Sequence, residues 1–209
     1  MNGVFKEHTF PKYNDADVMK PQMNGLDDPT MRDFTLLDIS AFAKAEFKGE
    51  RFEEEFINSF LNAAMELARA GRKAADKPGV YVFYMHSYAL PVLYLARHCM
   101  ELSIKRAIRK CGFEPKKIHG LKELWNSLVS RFPRQRNRED RRVIKNMGNF
   151  VAAMASVDNN GISLRYPKNK SGSFTQDRMH FVNGEQVASY LEMFVSQLEL
   201  VDFDSIRQS

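Results

Sequence analysis

The chain has 209 residues, 44% hydrophobic and 27% charged, a balance that suits one globular domain with a real core and excludes disordered and fibrous classes. Its 31 Lys and Arg against 26 Asp and Glu leave a formal net charge of +5, a basic excess that favours anionic partners such as RNA, DNA or phosphorylated ligands.

Lys6, Glu7 and His8 stand where a secretory signal would need an unbroken apolar stretch. The longest apolar run, Val80 to Ala96, is interrupted by His86, Ser87 and Pro91. A cytoplasmic protein without a membrane partner is therefore expected. Residues 1 to 48 mix Gly3, Pro11, Pro21, Gly25 and Pro29 with scattered aromatics and no sustained period, which predicts an irregular N-terminal arm, the helical domain taking residues 49 to 209. Phe34 to Phe47 reads equally as a strand followed by a short helix. From Glu50 to Ala70, Phe52, Phe56, Phe60, Ala64 and Leu67 mark one face of a helix, Glu53 to Glu55 fill its first turn, and Gly71 predicts its stop.

Leu90 to Cys111 predicts the central helix. Leu93, Met100, Ile104, Ile108 and Cys111 share one side of it, Arg97 falls between Ile104 and Ile108, and Glu101 lies a turn further on. Leu95 and Leu102 point the opposite way, as on a helix covered from more than one side. Pro91 marks its first turn or a kink. Cys99 and Cys111 stand about 18 Å apart along this axis, too far to bridge each other, and free thiols fit a reducing compartment.

Gly112 ends that helix and Phe113 to Gly120 form a connector. Leu121, Leu124, Trp125, Leu128, Val129 and Phe132 give the stripe of the next helix, closed by Pro133. Arg131 to Lys145 is the most basic segment, with Arg131, Arg134, Arg136, Arg138, Arg141, Arg142 and Lys145 against Glu139 and Asp140. A helix from Glu139 to Val157 follows from the spacing of Val143, Ile144, Met147, Val151 and Met154. Asp158 to Gly161 is a turn signal, and Ile162 to Phe181, holding Pro167 and Gly172, lacks helical period. Asn183 with Gln186 resembles a capping box opening a last helix, whose apolar face is Val187, Tyr190, Leu191, Phe194, Leu198 and Val201. The sum is an all-α bundle of about five helices, with a short extended or hairpin insertion before the last.

Several residues carry candidate chemistry. Arg97 and Glu101, four apart, make a structural ion pair on one reading. On the other, Arg97 faces Arg165 or His119 in a cleft and holds a phosphate or another anionic ligand with its planar fork. His119 reads as a helix cap, as packing, or as a general base; His180, beside Arg178, is the other candidate for acid–base work. Arg134, Arg136, Arg138, Arg141 and Arg142 form either a solvated linker or an RNA phosphate-binding patch, with Phe132 the aromatic residue among them. Arg165 and Tyr166 either staple the insertion or line a nucleic-acid site. Zinc spacings, phosphate loops, nucleophile elbows and His-Glu-x-x-His are all missing, so no metal or cofactor is expected.

The order of these parts resembles the HEPN superfamily of prokaryotic helical domains. The resemblance rests on His98, Glu101, Leu102 and Lys105 in a pattern H-x-x-E-L-x-x-K, on His119, Leu121 and Leu124 in H-x-L-x-x-L, and on Arg165, Tyr166 and Pro167 followed by Gly172. It spans about residues 80 to 200. It implies a homodimer with its active site at the interface, and an RNA-associated role in phage defence or toxin-antitoxin systems, often as a metal-independent ribonuclease. The superfamily's usual catalytic motif is an Arg, four to six residues, then a His. None of His8, His86, His98, His119 or His180 has an Arg at that distance upstream. Two readings stand: a protein that binds or cleaves RNA, and a non-catalytic adaptor or regulatory module that meets a protein partner from the same operon.

Overall fold

The computed structural model describes residues 3–13, 19–20, 50–75, 83–133, 136–166, 168, 171–173 and 181–208. Six helices occur among them: α1 (Glu50–Ala75), α2 (Phe83–Lys110), α3 (Leu121–Val129), α4 (Arg138–Asp158), α5 (Gly184–Glu199) and the short α6 (Phe203–Arg207). The all-α bundle expected from the periodicity is what forms. Met19–Lys20 (β1) and Phe181–Val182 (β2) add one antiparallel pairing of two residues each, with Met19 opposite Val182.

The central helix is central because it is apolar on more than one side. Val92, Leu93, Ala96, Cys99, Met100, Ile104, Ala107 and Ile108 are all buried, and α2 packs against α1, α3, α4 and α5. Cys99 and Cys111 are buried free thiols, as their separation requires, and burial pushes Cys99 up to about 12. The α2 helix begins at Phe83, about two turns before Pro91, so the proline sits inside the helix and does not open it.

Gly71 also departs from its expected role. The α1 helix runs through it to Ala75, and a Cβ at Gly71 would lie 2.9 Å from Cβ of Tyr88. The glycine lets α1 and α2 approach closely; it is not a stop. At the start of α5, by contrast, the Asn183 side chain accepts from the Gln186 N–H as its spacing indicated.

Residues 3–13 are irregular, with one isolated bridge, and their apolar side chains belong to the bundle core. Val4, Phe5, Phe10 and Tyr13 are buried. Phe5 bridges Val201, while Phe10 and Tyr13 pack among Phe150, Tyr190 and Phe194. Two buried polar side chains read the backbone of this segment. Asp140 on α4 accepts from the Val4 N–H at 2.7 Å and contacts His8 Nε2. Gln197 on α5 accepts from the Thr9 and Phe10 N–H groups at 2.7 Å and donates to the Glu7 carbonyl at 2.7 Å.

Replacing Gln197 with alanine leaves those three groups without their partner, at about 1–3 kcal/mol for each group that stays buried and unpaired. The expected result is a lower urea midpoint together with faster proteolysis near the N-terminus. An unchanged midpoint and digestion pattern would show that Gln197 does not clamp the segment.

Candidate functional site

At mid-height of α2 a buried salt bridge ties three elements together. Arg97 and Glu101 are each 3% exposed, and Arg97 Nη1 meets Glu101 Oε2 at 2.5 Å. The rest of the guanidinium is spent on main chain: Nε donates to the Asp158 carbonyl at 3.2 Å, and Nη2 donates to the carbonyls of Asn159, at 3.0 Å, and His119. Thus α2 is stitched to the end of α4 and the start of α3. The planar fork suits several acceptors fixed in one place.

The chain must turn tightly to present those carbonyls. Gly161 has φ +71, and a Cβ there would lie 2.9 Å from Arg97 Nη1, so both conformation and space demand glycine. Asp158, read in the sequence as part of a turn signal, is buried; its carboxylate accepts from the N–H groups of Ile162 at 3.0 Å and Leu164 at 3.2 Å. The anionic-ligand role expected of Arg97 therefore has no open face to use. The structural ion pair is what the side chain makes.

The second oxygen of Glu101 looks toward the surface. Oε1 accepts from Lys105 Nζ at 2.7 Å and from His119 Nδ1 at 2.8 Å. Burial opposes charge on this carboxyl, but hydrogen bonds from Lys105, Arg97 and His119, reinforced by the Arg97 charge, outweigh it and hold the group at about 2. Glu101 is thus an anion at any physiological pH.

His119 is not a helix cap. Gly120 occupies the N-cap of α3 without a side-chain hydrogen bond, and the His119 side chain is 66% exposed. A carboxylate only accepts, so His119 Nδ1–H is the donor in this bond. His98, one turn before Glu101 on α2, is half-buried, its ring parallel to Tyr94 and edge-on to Phe60. Burial, chiefly, lowers its pKa; Glu101 opposes this and the cations Arg97, Arg165 and Lys105 add to it. It is a packed histidine, half-buried against two aromatic rings.

Arg165 feels the same neighbourhood through its effect on His98. Its Nε donates to the Gly161 carbonyl, its guanidinium lies over the Tyr166 ring at 5.6 Å, and both side chains are exposed, Tyr166 at 54%. Lys105 and His119 therefore bond Glu101, and His98 lies between the charges of Glu101 and Arg165. Of these, Lys105 carried no role in the sequence beyond its motif, although its i, i+4 spacing from Glu101 was the available signal.

The basic segment lies elsewhere. Arg138 opens α4 and Asp158 closes it, a separation of about 30 Å at helical rise. The residues expected to bind phosphate consequently fall into two groups. Arg138, Arg141 and Arg142 are exposed at the first, Arg142 pairing with Glu139 at 2.7 Å. Arg136 is turned inward, donating to the carbonyls of Pro133 at 2.7 Å and Val129 at 3.0 Å, where it finishes the C-terminus of α3. Phe132 is buried, and Arg131 lies over the exposed Phe113 ring at 4.0 Å. Arg134 and His180 lie outside the described residues.

A family model described as HEPN domain matches residues 83–193, from the first residue of α2 into α5 and more than half of the chain. Comparison with curated proteins found no match, and neither did comparison with solved structures. Among the described residues, no helix is long and apolar enough to cross a membrane.

Proposed function

The chain belongs to the HEPN family, and from that premise we propose that it is an RNA-associated protein that meets the phosphate backbone along α4. The observation that carries this reading is the exposed stripe of that helix. Beyond Glu139 it runs Arg141, Arg142, Lys145, Asn149, Ala152 and Ser156 without an acidic residue, and it leads toward the end where Arg165 and His119 are exposed. A polyanion lying along it meets cations at the start, the Asn149 amide in the middle, and Arg165 at the end. A homodimer acting in phage defence or a toxin-antitoxin pair is the setting this proposal takes from the family.

The test is a salt series of RNA binding with the native protein and an Arg138→Gln, Arg141→Gln, Arg142→Gln triple variant. Each lost contact with a single-stranded phosphate lowers the slope of log affinity against log salt by about 0.7, so the triple variant is expected to bind more weakly with a slope shallower by about 2. Binding and slope left unchanged would remove α4 as the interface.

A non-catalytic interaction module is the second reading. It is favoured by the exposed large apolar side chains Leu90, Phe113, Ile162 and Tyr166. It predicts that native purification recovers a stoichiometric protein partner and that the protein binds RNA only weakly and without specificity.

A further inference from the structure

The ends of α2 and α3 set an aromatic ring and a guanidinium against each other at the surface. Past Lys110, Gly112 takes φ +85, its N–H donates to the Arg109 carbonyl at 2.8 Å, and the Phe113 N–H reaches back to the Ile108 carbonyl at 3.2 Å. That pair of hydrogen bonds fixes the backbone of Phe113. An apolar residue so placed commonly folds onto its own helix, yet Phe113 stays 43% exposed. Arg131 is held at the end of α3, its N–H donating to the Leu128 carbonyl at 2.9 Å, and its guanidinium lies over the Phe113 ring, 4.0 Å from the centroid. A second cation is near. The Arg207 side chain would meet a Cβ on Gly112 at 3.8 Å, and Arg131 and Arg207 both act on the Cys111 thiol, which burial pushes up to about 11. Lys116 and Lys117 are exposed on the same connector, against Glu114 alone.

A protein partner that buries an aromatic anchor surrounds it with well-packed apolar contact. The exposed residues flanking Phe113 in the chain are instead Gly112, Glu114, Lys116 and Lys117. A nucleobase asks for less: a flat π surface, with cations nearby for its phosphates. We propose that Phe113 and Arg131 form a base-stacking platform for single-stranded RNA. The base extends the stack that ring and guanidinium already make, and Arg207, Lys116 and Lys117 supply charge for the flanking phosphates. This rests on the RNA reading above and adds to it a selection for unpaired nucleotides, because a base inside a duplex is already stacked on its neighbours. The platform also adjoins the linker into α4. Arg136, two residues before Arg138, donates to the carbonyls of Val129 at 3.0 Å and Phe132 at 3.4 Å, which flank Arg131 in the chain. The linker thus returns to the end of α3 before the exposed arginines of α4 begin.

The experiment measures the affinity of the full chain for a single-stranded RNA, for the same RNA annealed to its complement, and for an abasic ribose-phosphate oligomer of equal length. The native protein is expected to bind the single strand more tightly than the abasic oligomer. Phe113→Ala is expected to weaken single-strand binding by about 5- to 150-fold, the effect of losing one stacked base. Its slope against salt and its affinities for the duplex and the abasic oligomer should stay as they were. Phe113→Tyr returns the ring and should bind as the native protein does. Arg131→Lys keeps the charge and loses the plane, so part of the base-dependent affinity should go while the salt slope holds. Single-strand binding no tighter than abasic binding, or unchanged in Phe113→Ala, overturns the platform and leaves α4 standing as the phosphate surface. Equal losses on all three ligands in Phe113→Ala also overturn it, since the ring would then act through the fold. A Phe113→Ala variant that keeps its RNA affinity but loses a co-purifying protein gives the ring to a protein partner and overturns the platform as well. Absence of RNA binding by the native protein overturns both proposals.

Discussion

Arg97→Ala is expected to cost about 3–5 kcal/mol of folding stability, the range for breaking a buried ion pair by removing one partner. At about 2–4 °C per kcal/mol for a protein of this size, the melting temperature should fall by roughly 6–20 °C. The cost comes from what is left behind. Glu101 stays buried at 3% exposure with Lys105 and His119 as its remaining donors. The carbonyls of Asp158, Asn159 and His119 lose the guanidinium that joins α2 to the ends of α3 and α4. Arg97→Lys should recover only part of the loss, because one ammonium cannot reach the acceptors that a planar fork reaches together. Denaturant melts of the three proteins give the comparison, and an alanine variant within about 1 kcal/mol of the native protein would mean the stitch is ornamental.

The Arg97 stitch also shows where the sequence stops being legible. Four-residue spacing on a strongly periodic helix was enough to place Arg97 and Glu101 together on an apolar side, since helix geometry alone sets that relation. Helix identity was legible for the same reason, and the Asn183 cap was too, because its partner lies three residues away. Contacts that join distant segments were not. His119 looked like a cap because it precedes a helix, but its partner is a carboxylate from the previous helix, brought alongside by the turn of the Phe113–Gly120 connector.

Asp140 and Gln197 gave no signal at all. Each is a polar residue in an amphipathic helix, and its burial is explained only by the backbone of residues 3–13 lying across it. Gly71 misled for a related reason: a glycine that ends a helix and one that admits a neighbouring helix look the same in a sequence. The basic segment was legible as composition but not as a surface. Helix α4 carries its exposed arginines in its first turns, Arg138 standing about 30 Å along the axis from Asp158, while Arg136 bends back to the carbonyls of Pro133 and Val129.

Acid should release this structure through Glu101. The carboxyl sits at about 2 in the folded protein against an ordinary 4.5, so on acidification the unfolded chain takes up the proton first. The stabilisation is complete above about pH 4.5 and is lost progressively as the pH falls toward 2. The difference corresponds to about 3 kcal/mol, a figure applicable because the side chain is buried and not screened by solvent. Glu101→Gln supplies the comparison. It removes the titration while keeping a side chain of the same shape that can still accept one hydrogen bond, so it should be less stable than the native protein at neutral pH. Between about pH 4.5 and 2 its stability should fall less steeply, and the two curves should converge, because every other titrating group is shared. Urea melts of both proteins across that range measure the gap directly. A gap that stays constant with pH would mean that Glu101 is not the group whose protonation loosens the junction of α2, α3 and α4; a gap that closes would identify the carboxylate holding His119 as the acid-sensitive bond of the fold.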